Sequence, residues 1–225
     1  MPSYLSETDH AKVTQAVRTA EEQTSGEIVT VLADRSDGYS DIALSWAAFF
    51  AFTVLTLAAL FPDPPLRFYA SLHATWNAEW SPGEVFAMAS GMGILTFLVV
   101  WLLQFIDAVR FAMVPRIVKR NRVFDRAVSH FKVGAERRTH GLTGVLLYLS
   151  MREHRADIVA DETIADKVDP EVWGEAMVDM LVQVKKGDIA GGLVAGIRDV
   201  GGVLAEHFPR HEDDQNELPD RLIEL

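Results

Sequence analysis

Two runs of this chain carry no charged residue. Ile42 to Phe61 is twenty residues long, and Val85 to Ile106 is similar in length with Gln104 as its one amide. As helices rising about 1.5 Å per residue, each covers about 30 Å, the thickness of a bilayer's hydrocarbon core. Burying both as core helices would take a large soluble shell, and the rest of the chain is too short to supply it. They read as transmembrane spans with ends at Ile42, Phe61, Val85 and Ile106. Segregation explains how 49% hydrophobic and 24% charged residues coexist. Charge is nearly absent from 42 to 106 and dense elsewhere.

The flanks orient the spans. The connector, 62–84, holds Arg67 as its one basic residue besides His73, and it carries Phe68, Tyr69, Trp76 and Trp80. Aromatic rings with a polar edge suit the headgroup layer. After the second span come Arg110, Arg116, Lys119, Arg120, Arg122 and Arg126. Positive charge stays on the cytoplasmic side. The sequence therefore predicts a multi-pass protein of a bacterial cytoplasmic (inner) membrane, with both termini cytoplasmic and the connector external. Arg116, Lys119, Arg120 and Arg122 are candidates for anionic lipid headgroups. The ordinary alternative is a solvated helix face. Membrane lipid and a protein in the membrane are the expected partners. The net charge of −11 repels a phosphate backbone and argues against nucleic acid. No cysteine is present, which excludes disulfides and thiolate metal sites. The segment MPSYLSETDHAKV has no basic region before an apolar core and is not read as a signal peptide.

Small residues recur at four-residue spacing: Ala43, Ala47 and Ala51 in the first span, Ala87/Gly91 and Ala89/Gly93 in the second. They let backbones approach within the hairpin, or in a homodimer. Outside the spans, Ser6 with Asp9 opens a helix whose apolar face is Ala11, Val13, Ala16, Val17 and Ala20. Glu27 to Ala33 reads as a strand. Ile117, Phe124, Val128 and Phe131 suggest the apolar face of a helix after Pro115. GVLLYLS, 144–150, and 156–160 form a hairpin around MREHR. Asp169-Pro170 and Asp188 start two further helices. One helix and one strand do not fold alone. The spans (42–106) are thus an insertion between the first part, 1–41, and the second, 107–208, of one cytoplasmic α/β domain, and 209–225 is a loosely ordered acidic tail.

The order of SGEIVTVLAD, TGVLLYLS, RADIVADETIADKV, a Trp-containing helix and GDIAGGLVAGI resembles the TPM domain family. It is most similar to bacterial membrane proteins in which a TPM-like domain is interrupted by two transmembrane helices. The resemblance implies a small-sheet α/β/α sandwich, links to acid-phosphatase activity and divalent-cation binding, with Ca or Mg as the candidate ion, and roles in assembling membrane complexes. Where the family usually reads Asp-Asn-Gly-Val, this chain reads Leu142-Thr143-Gly144-Val145. An expected acidic ligand is missing.

Hairpin geometry suggests one cation site. His140 lies near Asp161 and Glu162, and Glu27 joins them if its strand runs parallel to 144–150. The alternative is polar strand ends and helix caps in water. His207 and His211 are four apart, but Pro209 breaks the helical spacing. No nucleophile motif stands out. The sequence favours a non-enzymatic partner-binding or assembly module, with a metal-dependent phosphohydrolase as the alternative.

Overall fold

The computed structural model describes residues 4–73, 80–134, 143–211 and 216–225. In chain order the elements are α1 (Glu7–Glu21), β1 (Glu27–Ala33), α2 (Ser40–Leu60), α3 (Asp63–His73), α4 (Pro82–Leu103), α5 (Asp107–Met113), α6 (Arg116–Gly134), β2 (Gly144–Ser150), β3 (Arg155–Ala160), α7 (Glu162–Ala165), α8 (Pro170–Lys185), α9 (Ile189–His207) and β4 (Ile223–Glu224). They form two compact units, Met1–Asp37 with Arg116–Leu225, and Gly38–Pro115.

In the first unit the sheet order is β3-β2-β1-β4. β1 and β2 run parallel in register from Glu27 opposite Gly144 to Ala33 opposite Ser150. β3 returns antiparallel to β2. Both central strands are buried along their full length, which explains their nearly continuous apolar sequence. Ile28, Leu32, Val145, Leu147 and Leu149 meet α1, α8 and α9 on one face. Val29, Val31, Leu146 and Tyr148 meet Val123, Ala127 and Phe131 of α6 on the other. This is the small-sheet α/β/α sandwich. The glycines of α9 set how closely its neighbours approach. A Cβ at Gly192 would stand 2.8 Å from the Met180 carbonyl oxygen, and one at Gly201 would stand 2.7 Å from the Ala20 Cβ.

Two expectations change here. On α6 the buried stripe is Val123, Ala127 and Phe131, while Ile117 and Phe124 are 61% and 48% exposed. Phe131 is buried as expected, but Val123 and Ala127 stand in the stripe where Phe124 and Val128 were expected. The tail is also not loose over 216–225. β4 pairs in parallel with β1, and Leu218 and Leu222 are buried. It closes the outer edge of β1, which would otherwise leave backbone groups unpaired.

In the second unit α2 and α4 pack side by side. Ala43, Ala47 and Ala51 are buried on α2 and Gly93 on α4, so small residues form the contact. Gln104 Nε2 donates to the Ala43 carbonyl at 2.9 Å, and Trp46 Nε1 donates to the Met113 carbonyl at 3.0 Å. Both helices are long and apolar enough to cross a membrane, with few residues buried. The first helix runs from Ser40 to Leu60 and the second from Pro82 to Leu103, so each covers most of one uncharged run. A capping box of Ser81 and Glu84 with Pro82 fixes the start of the second, and the chain turns at Gln104 before α5 begins at Asp107.

Leu218→Ala is expected to lower stability by about 2–4 kcal/mol, the cost of a buried leucine. Thermal unfolding in mild detergent measures the loss, and hydrogen exchange should show faster exchange at the tail amides. No change would mean that the tail does not pack.

Candidate functional site

The two ends of the parallel strand pair carry different polar groups. At the N-terminal end, Glu27 is buried. Its Oε1 accepts from the Glu217 amide at 3.2 Å and its Oε2 from the Leu218 amide at 3.1 Å. A carboxylate taken out of water needs such donors. Asp161 is buried too. Its Oδ2 accepts from the Gly144 amide at 2.9 Å, and its own amide donates to the Gly144 carbonyl at 2.9 Å. Thr143 Oγ1 donates to the Ser25 carbonyl at 2.9 Å.

Glu27 and Asp161 thus flank Gly144, one opposite it in β1 and one bonded to it. Glu162 opens α7 and is exposed. His140 lies outside the described residues, as does Leu142. Among the described residues no three His, Cys, Asp or Glu side chains group in a way that could hold a metal ion. The roles visible for Glu27 and Asp161 are positional: one fastens the tail and the other fastens the start of β2.

At the C-terminal end sits a network that the sequence did not reveal. The Ser36 amide donates to Glu153 Oε1 at 3.0 Å. Ser36 Oγ lies 3.2 Å from the Tyr148 hydroxyl and 3.1 Å from Ser150 Oγ, and Ser150 Oγ donates to Glu153 Oε2. All four residues are buried. Burial pushes the Tyr148 hydroxyl above its ordinary pKa. Beside it, the Tyr4 hydroxyl and Arg152 Nε donate to Asp34 Oδ1. Burial opposes ionisation of Asp34, but these two donors hold its pKa below the ordinary value. Arg122 Nε pairs with Asp37 Oδ2 at 3.2 Å.

Chemically, this end places the Ser150 hydroxyl against a carboxylate, the ingredients of an activated nucleophile. Yet Ser150 is 0% exposed, so no substrate reaches its oxygen. The arrangement works as a lock. It ties the β2–β3 turn, where His154 adopts a left-handed φ of 51°, to the chain leaving β1. Sequence spacing could not have found it, because Ser36 and Glu153 lie far apart in the chain.

The lipid-headgroup candidates lie on α6. Arg116, Arg120 and Arg122 are exposed and Lys119 is half-buried. Arg155 Nη2 donates to the Arg116 carbonyl at 3.4 Å. On β3, burial raises Asp157 to a pKa of about 6 against the pull of Arg155 and Arg120. Burial, with Arg126 nearby, lowers the pKa of His130, whose ring stacks on Tyr148 at 6.0 Å.

A carboxyl whose folded-state pKa is raised binds its proton more tightly folded than unfolded. Its penalty is full above pH 6 and is relieved as pH falls from about 6 towards 3.8. Asp157→Asn should therefore stabilise the protein at pH 7.5 by about 1–2 kcal/mol after allowance for solvent screening. The gain over wild type should vanish near pH 4. Denaturant unfolding of both proteins across pH 4–8 measures it, and a pH-independent difference would contradict the assignment.

A family model described as the TPM domain matches residues 107–203. No curated protein matches the chain. Among solved structures, the chain resembles the NMR structure of the BA42 protein from the psychrophilic bacterium Bizionia argentinensis. The identity is 21%, the likeness covers 100% of this chain and 98% of that one, and the TM-score is 0.57. At that identity the likeness speaks to the fold alone.

Proposed function

We propose that this protein, which carries a TPM domain, is a membrane-anchored, non-enzymatic module that binds a partner or assists assembly of a membrane complex. One observation carries the reading: an α/β unit closed by buried polar bonds, with two apolar helices of bilayer length inserted between β1 and its neighbour β2. The enclosed hydroxyls of Ser36 and Ser150 support a structural use of their chemistry. The positive residues after the second span support a reading in which both termini lie on the cytoplasmic side of an inner membrane. The exposed face of α6 joins Ile117 and Phe124 to Arg116 and Arg120, a mixture suited to anionic headgroups at an interface.

The matching family model has phosphatase in its name, and this gives the second reading, a metal-dependent phosphohydrolase. In that reading Asp161, with His140 and Glu162, contributes to a Ca or Mg site. Hard oxygen ligands are the right type, but the acidic position of the family is Leu142 here.

Purified protein is expected to show no turnover of generic phosphomonoesters with or without Ca²⁺, Mg²⁺ or Mn²⁺. Metal-dependent turnover that disappears in Asp161→Ala would overturn the non-enzymatic reading. Reporter fusions at Leu225 and Ala74 should report opposite compartments, and a cytoplasmic signal from Ala74 would sink the topology.

A further inference from the structure

The second unit contains a cavity of about 800 Å³ walled by α2, α3 and α4. That volume falls within the range of ligand-binding sites, about 300–1,000 Å³. Two features keep it open. Its floor on α4 is Ala87 and Gly91, and a Cβ added at Gly91 would meet nothing within 4 Å. Its wall on α3 includes Pro64 and Pro65, whose rings fix φ and stiffen the first turn. The gap therefore does not depend on a mobile side chain. Small residues on the other stripe, Ala43, Ala47, Ala51 and Gly93, are buried in the helix pair. Ala87 and Gly91 are exposed, so they do not serve that contact.

We infer that this cavity is a slot for one hydrocarbon chain of a membrane phospholipid. The inference rests on the membrane reading above. The lining is almost wholly apolar, and its α2 and α3 rims, Leu57 and Phe68, are exposed. The slot is thus continuous with the surface the spans turn to lipid. An apolar recess left unfilled loses dispersion contacts along its lining. Within a bilayer, acyl chains are the apolar groups at hand to restore them. At the connector end Tyr69 and Trp80 stand edge to face with centroids 5.4 Å apart. Such rings belong at headgroup level, and Tyr69 itself lines the slot, so the slot opens at the headgroups on the connector side and runs along α4 past Met92 towards acyl depth.

The test uses full-length protein in nanodiscs of phosphatidylethanolamine and phosphatidylglycerol, with a trace of phospholipid bearing a diazirine on one acyl chain. Irradiation followed by peptide mass spectrometry maps the adducts. Leu60 and Phe86 are the controls, since both are exposed and belong to the same end of α2 and α4 but do not line the slot. Labelling at Leu57, Met88 and Met92 should exceed that at the controls by at least about threefold, as a chain held in a pocket stays beside its lining. Gly91→Phe and Ala87→Leu should each abolish that excess and leave the controls unchanged. Even labelling of slot and controls in wild type overturns the inference, as does an excess that survives both variants. Alkaline carbonate extraction separates the two readings: release of the protein from membranes sinks the membrane reading and the slot with it. Firm retention with even labelling sinks the slot alone.

Discussion

The parallel pairing of β1 with β2 is the constraint on which the rest of the structure depends. The strands are roughly a hundred residues apart in the chain, and both are buried on both faces. A buried strand must find partners for its backbone groups, and β1 has none within its own segment. Its partners are β2, which comes after the inserted helices, and β4, which comes at the end of the chain. Each unit also holds its own two crossing segments together. In the unit that holds the sheet, Asp37 pairs with Arg122. In the helical unit, Trp46 bonds to the Met113 carbonyl, and Tyr39 packs on Phe111 with centroids 5.7 Å apart. The entropic cost of a long insertion is reduced when the insertion is itself ordered with its ends together.

Polar bonds at one end of that strand pair support its register, and those at the other end fasten the tail to β1. A slip of one residue would turn every side chain of β1 to the wrong face. Glu153 at one end receives the Ser36 amide. Glu27 at the other receives two amides of the tail. These carboxylates are buried, so each donor lost raises the cost of keeping the charge out of water.

Much of this was legible in the sequence because it rests on local pattern. The uncharged runs from Ile42 and Val85 announce apolar helices by length alone. The β-branched and leucine-rich strands, and the caps at Ser6, Asp169 and Asp188, follow from residue type at the expected spacing. Features that depend on distant partners were not legible. Leu218, Leu222 and Ile223 are scattered among charged residues, and a strand as short as β4 has no period to read. The Ser36–Tyr148–Ser150–Glu153 lock joins segments with no common motif. The α6 face was misread because Ile117 and Phe124 are large and apolar, yet the sheet accepts Val123 and Ala127. For the candidate site, the sequence located the correct strand ends at Glu27 and Asp161. It did not reveal that backbone amides already occupy those carboxylates.

Two separated segments make one cooperative unit without help from the apolar helices. The direct measurement is urea unfolding of a chain in which residues 1–37 are joined to 116–225 by a short Gly/Ser linker. Trp173 is the sole tryptophan of that chain and packs against the core, so its fluorescence reports tertiary structure while far-ultraviolet circular dichroism reports the backbone. The account predicts a soluble protein whose two signals change in one coincident transition. Separate transitions, or a joined chain with no transition at all, would contradict it.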